Sequence, residues 1–94
     1  MHTYILDTNI ILDSVENILT LSDNGTNTIV IPETVIDELD AKKTGFEDIN
    51  FNARQFARLL EDSIIISSNQ IGNLHIITTS VESLGISLKI ISKK

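Results

Sequence analysis

The chain contains no cysteine. A disulfide framework and a zinc site built on thiolates are therefore excluded. Aromatic residues make up only 4% of the 94 residues, so a core has to be assembled mainly from Ile, Leu and Val. No basic N-terminal segment leads into a long apolar run, so no secretory signal is visible. No apolar stretch approaches the roughly 20 residues that span a bilayer. An excess of positive charge is missing too, because the formal net charge is −6. That balance argues against a basic groove gripping nucleic acid through its phosphates alone. It leaves open a site where carboxylates hold cations and the cations meet a phosphate. A reducing cytoplasm is the expected setting for a cysteine-free domain.

What is present suits one small domain over residues 1–94. Hydrophobic residues make up 41% of the chain, enough for a real core. Tyr4-Ile5-Leu6 reads as a short buried strand, and Thr8 or Asn9 is suited to cap a helical turn after it. Ser14 is placed to cap a helix over Val15–Leu21, with Val15, Ile18 and Leu21 on one face. Asp23-Asn24-Gly25 marks a turn. Thr28–Ile31 is β-branched and predicts a second buried strand, ended by Pro32. Glu33–Lys43 reads as a helix with Val35, Ile36 and Leu39 inward, Lys42 and Lys43 in its last turn and Gly45 as its stop. Asp48–Glu61 repeats apolar residues at helical spacing. Strands are then expected at Ser63–Ser67 and Leu74–Thr79, joined through Asn69–Asn73, and Ser87–Ile91 is a candidate for one further strand beyond these. The order β-α-β-α-α-β-β predicts an α/β sandwich with a partly parallel sheet.

The stretch YILDTNIILD raises the functional question. A carboxylate, a hydroxyl and an amide stand together at Asp7-Thr8-Asn9, inside a run that is otherwise building a core. In open α/β sheets ligands bind beyond the carboxyl ends of the strands. Asp7 directly follows the first strand. The helix after the second strand carries Asp37, Glu38 and Asp40, and Glu38 lies nearest its buried face. If the two strands are parallel neighbours, Asp7 and Glu38 meet in one cleft. Paired carboxylates repel unless a cation compensates, and Mg²⁺ or Mn²⁺ suits an oxygen-only site. Thr8 and Asn9 are the polar groups at hand to orient Asp7 or a metal-bound water. Simple helix capping by Asp7-Thr8-Asn9 and a solvated acidic helix face remain open at this level.

Three blocks, ILDTNIIL, IVIPETVIDELDAKK and NARQFARLLED, resemble the successive blocks of PIN-domain nucleases. The likeness is closest to the PIN domains that precede PhoH-type ATPases, and it covers roughly residues 3–62. The resemblance implies a three-layer α/β/α sandwich with a mostly parallel central sheet. It implies Mg²⁺- or Mn²⁺-dependent cleavage of single-stranded or structured RNA, with Asp7 as the first metal-binding acid, Glu38 as the second and Asn9 as the polar residue after the first. Asn52-Ala53-Arg54 matches a block of the PhoH-associated subgroup, and Arg54 is a candidate RNA contact. Pairing of Arg54 and Arg58 with Glu47, Glu61 or Asp62 is the more ordinary expectation. His2 and His75 are expected to be a bystander and a sheet residue.

The family's later acidic block is not found before Lys94, so the chain is expected to be the N-terminal portion of the full domain, C-terminally truncated. The competing expectation is a catalytically inactive PIN-like module that binds RNA or a protein. Expected partners are RNA, a PhoH-type ATPase domain in the full protein, or further copies of the chain, with Val30-Ile31 and Ile64–Ile66 apolar enough for an uncovered edge to invite pairing.

Overall fold

The computed structural model describes residues 1–93. The elements run β1 (Thr3–Ile5), α1 (Thr8–Asp13), α2 (Glu16–Ser22), β2 (Thr28–Pro32), α3 (Glu33–Ala41), α4 (Asp48–Glu61), β3 (Ile64–Ile71), β4 (Leu74–Val81) and β5 (Ile86–Lys93). The strands form one sheet in the order β1-β2-β5-β4-β3.

β2 sits inside the sheet, and its β-branched run is buried on both faces: Ile29 and Ile31 are fully buried and Val30 nearly so. β1 and β5 flank it, both parallel. β5–β4 and β4–β3 are antiparallel. The sheet is therefore mixed, not mostly parallel. The cause is connection length. Only Gly72-Asn73 join β3 to β4, and residues 82–85 join β4 to β5. Parallel neighbours need a crossover of a dozen or more residues. Gly72 supplies the positive φ of 60° that the tighter turn needs.

The layering also departs from expectation. The core joins Ile11 and Leu12 of α1, Ile18 of α2, Val35 and Leu39 of α3, and Ala53 and Phe56 of α4 to Ile29, Ile31, Val81, Ile86 and Leu88 of the sheet. Ile29 pairs with Leu88 and Val81 with Ile86, so these strand residues share one face. All four helices pack on that face. The steps β1→β2→β5 run in one direction across the sheet, and right-handed crossovers then place their helices on the same side. On the opposite face Ile5 pairs with Val30 and stays 70% exposed. The described residues form two layers, a sheet and a helical layer, in place of the expected three.

Local differences have local causes. α1 is a six-residue helix capped by Asp7, not by Thr8 or Asn9. α2 starts at Glu16 with Val15, not Ser14, in the N-cap position; the Ser14 hydroxyl, one residue earlier, accepts from the Glu16 amide at 3.2 Å. Residues 23–25 turn with three successive positive φ values, at an Asp, an Asn and a Gly, which tolerate that region best. α3 stops at Ala41, so Lys42 and Lys43 lie beyond it and Gly45 sits in the loop to α4, not at the helix end. Asn50 of α4 shapes that loop. Its Oδ1 accepts from the Glu47 amide and its Nδ2 donates to the Lys42 carbonyl. Gly45 has φ 131°, and a Cβ there would lie 2.4 Å from Asn50 Oδ1.

Candidate functional site

The parallel register of β1 and β2 puts their carboxyl ends at one edge of the sheet. The Leu6 amide continues the pairing by donating to the Val30 carbonyl at 2.9 Å. Asp7 comes next in extended conformation, φ −91° and ψ 158°, as the N-cap of α1. Its Oδ1 accepts from the Thr8 amide at 2.7 Å. Capping, the plainer reading of this residue, is thus realised.

Capping is half of the arrangement. Thr8 is only 5% exposed. Its hydroxyl donates to Glu38 Oε2 at 2.9 Å. Val35 and Leu39 are buried and anchor α3, which brings Glu38 to the start of α1. One buried threonine therefore holds both carboxylates, Asp7 through its main-chain N–H and Glu38 through its side chain. Asp7, Glu38 and the neighbouring Asn9 are all exposed at this edge.

The other acids of α3 go elsewhere. Asp37 joins Glu33, Thr34, Ile91 and Lys93 around a pocket of about 430 Å³, and neither Asp7 nor Glu38 lines it. Asp40 forms an ion pair with Lys43 at 2.7 Å. That hydrogen bond and charge raise the Lys43 ammonium above its usual pKa. Asp7 and Glu38 present hard oxygen donors, which fit Mg²⁺ or Mn²⁺ in kind. They are two donors of what would be a larger set, since no group of three or more His, Asp or Glu among the described residues is arranged to hold a metal.

The Asn52-Ala53-Arg54 block has visible structural work. Asn52 Nδ2 donates to the carbonyls of Leu12 at 2.7 Å and Asp13 at 3.2 Å, tying α4 to the end of α1. Ala53 is in the core. Arg54 Nη1 donates to the Lys43 and Gly45 carbonyls at 2.7 and 2.9 Å, so this cation holds carbonyls where acidic partners were expected. Arg58 is exposed and borders a groove of about 540 Å³ with Leu19, Phe51, Leu59 and Leu84. His75 is a sheet residue, its Nε2 2.7 Å from the Ser68 hydroxyl on β3. The His2 ring lies 6.2 Å from the Tyr4 ring.

Sequence reasoning set Thr8 to orient Asp7 or a metal-bound water; its amide does bond Asp7, and what was missed is the bond from its hydroxyl to Glu38. The available signal was periodicity: Thr8 shares the inward side of α1 with Ile11 and Leu12, which directs its hydroxyl towards α3.

Fold and site define an α/β domain that displays two tethered carboxylates beyond the carboxyl ends of a parallel strand pair. The chain belongs to the PIN domain family, which matches residues 4–89. It is similar to Protein PhoH2 of Bacillus subtilis (strain 168), with 33% identity over 72 residues. That match covers 77% of this chain but 14% of the relative's length. No solved structure matches. No helix among the described residues is long and apolar enough to cross a membrane.

Proposed function

We propose that this chain provides part of the active site of a cytoplasmic, metal-dependent ribonuclease, and that Asp7 and Glu38 are two of its metal-binding carboxylates. The observation that carries the reading is the double tether of Thr8, because a hydroxyl bonded across to an exposed carboxylate fixes a functional geometry more than it aids packing. Family membership supports the same chemistry, and likeness to PhoH2 supports a setting beside a PhoH-type ATPase region in a longer protein.

Asp7 and Glu38 would hold Mg²⁺ or Mn²⁺, and such an ion would supply a bound water of lowered pKa and charge to offset the phosphate. The rest falls to the chain. The Thr8 amide fixes one oxygen of Asp7 and leaves the other free. The Thr8 hydroxyl fixes Glu38 Oε2 and leaves Oε1 free. Asn9 is at hand to orient water. Arg54 spends Nη1 on its loop, and its remaining nitrogens are the part available to an RNA phosphate.

The test is cleavage of labelled single-stranded RNA in Mn²⁺. Slow cleavage that disappears with chelator, and with Asp7→Asn or Glu38→Gln, is the expected result. Undiminished cleavage by both variants would remove these residues from the chemistry. A second reading, a non-cleaving RNA-binding or protein-binding module, is favoured by the two-carboxylate donor set. RNA binding without cleavage at any Mn²⁺ concentration would support it instead.

A further inference from the structure

Among the described residues β3 is an edge of the sheet, hydrogen-bonded only to β4. All eight of its residues are exposed. Ile64, Ile65, Ile66 and Ile71 stand 51%, 64%, 59% and 62% exposed. No helix packs extensively on it, and the residues on both of its faces are exposed. The opposite edge, β1, is only three residues long.

Sheets normally blunt a long edge with charge, proline, a covering element or a bulge. From Ser63 to Val81 this chain has no Asp, Glu, Lys, Arg or Pro. A bulge between Ile65 and Ser67 interrupts the register with β4 but leaves the edge uncovered. The chain as a whole carries −6, so two copies repel over most orientations. The β3–β4 hairpin is where they can approach without that repulsion. A strongly basic or acidic partner would find no counter-charge there. The surface thus suits a neutral, β-forming partner, and the same strand of another molecule has that chemistry.

We propose that β3 pairs antiparallel with β3 of a second copy about a twofold axis perpendicular to the sheet. The axis sets each free N–H of one strand against the equivalent C=O of the other, as an isologous contact requires. It keeps the helical layers of both copies on one side of a continuous sheet. The exposed isoleucines gain cross-strand neighbours. Pairing consumes the long edge of each copy and leaves only the short β1 edges, so the assembly closes at a dimer.

The experiment is sedimentation velocity from low micromolar to near-millimolar protein, in chelator and without RNA, so its outcome is independent of the nuclease reading. The expected result is a concentration-dependent doubling of mass, lost in Ile65→Lys and Ile66→Lys, whose circular dichroism stays that of wild type. The cysteine-free chain allows a second measurement. Single-cysteine variants Ser67→Cys and Asn69→Cys should yield covalent dimers with a short bis-maleimide, and Asp48→Cys on α4 should not. A monomer at every concentration, open-ended aggregates, lysine variants that dimerise like wild type, or cross-linking at Asp48→Cys in preference to β3 would each overturn the proposal.

Discussion

Thr8 and Glu38, 30 residues apart in the chain, are joined by a 2.9 Å hydrogen bond from a buried hydroxyl to an exposed carboxylate. The same threonine donates its amide to Asp7. A helix N-terminus has unpaired amides to satisfy, and an Asp cap does that alone. The Thr8–Glu38 bond adds something capping does not need: it sets the position of a second acid on another helix.

Thr8→Val keeps the shape and removes the hydroxyl. The amide bond to Asp7 survives, and Glu38 is released. A stability loss of about 1 kcal/mol is expected for one part-buried hydrogen bond to a charged acceptor. Urea unfolding measures it. Thr8→Ser, which retains the hydroxyl, should recover most of any lost response to Mn²⁺, although it gives up a buried methyl group.

Gly45→Ala should destabilise more. Its φ of 131° lies where side chains are strained, and the new Cβ would meet Asn50 Oδ1 at 2.4 Å. Asn50 has little room to yield, since it bonds both Glu47 and Lys42. A loss of about 1–3 kcal/mol is expected from the strain alone. Chemical denaturation that finds Gly45→Ala as stable as wild type would contradict the loop geometry.

Asn52→Ala removes the tie from α4 to the last carbonyls of α1. A cost of about 1 kcal/mol is expected. The stabilisation by Mn²⁺ should be unchanged, because Asn52 acts at the far end of α1 from Asp7. A lost Mn²⁺ response with a normal melt in chelator would move Asn52 from scaffold to site.

Arg54→Ala frees the Lys43 and Gly45 carbonyls. Amide exchange should accelerate around residues 42–47 and change little in β2 and β5. An effect confined to RNA affinity, with exchange unaltered, would favour the contact role over the loop role.

The sequence carried the long helix α4 and the approach of α3 to the start of α1 better than the sheet. Asp48–Glu61 was legible to the residue because Ala53 and Phe56 recur on one side of a long segment. The junction of Asp7 with α3 was legible because two β-branched runs, each followed by a helix, imply parallel neighbours. The sequence predicts that β3 ends at Ser67, yet it continues through Ser68-Asn69-Gln70 to Ile71. An edge strand with no cover has no core face to write into its sequence, so polar residues extend it without penalty. The mixed sheet was signalled by the short β3–β4 and β4–β5 connections, but the family resemblance pointed to parallel strands. The buried Asn50 escaped notice because its capping partner is a Glu N-cap in place of the usual Ser or Thr.

The central claim is that Asp7 and Glu38 together hold a divalent cation in the folded protein. The most direct test is thermal unfolding of wild type, Asp7→Asn and Glu38→Gln in chelator and in millimolar Mn²⁺. Asn can still accept from the Thr8 amide and Gln from the Thr8 hydroxyl, so both variants should fold and melt close to wild type in chelator. An ion at ten times its dissociation constant adds about 1.4 kcal/mol to the folded state. For a domain of this size that is a rise of several degrees in Tm. The account predicts such a rise for wild type and its loss in both variants. An equal Mn²⁺ response in all three proteins, or none in any, would contradict it and leave Asp7 as a helix cap alone.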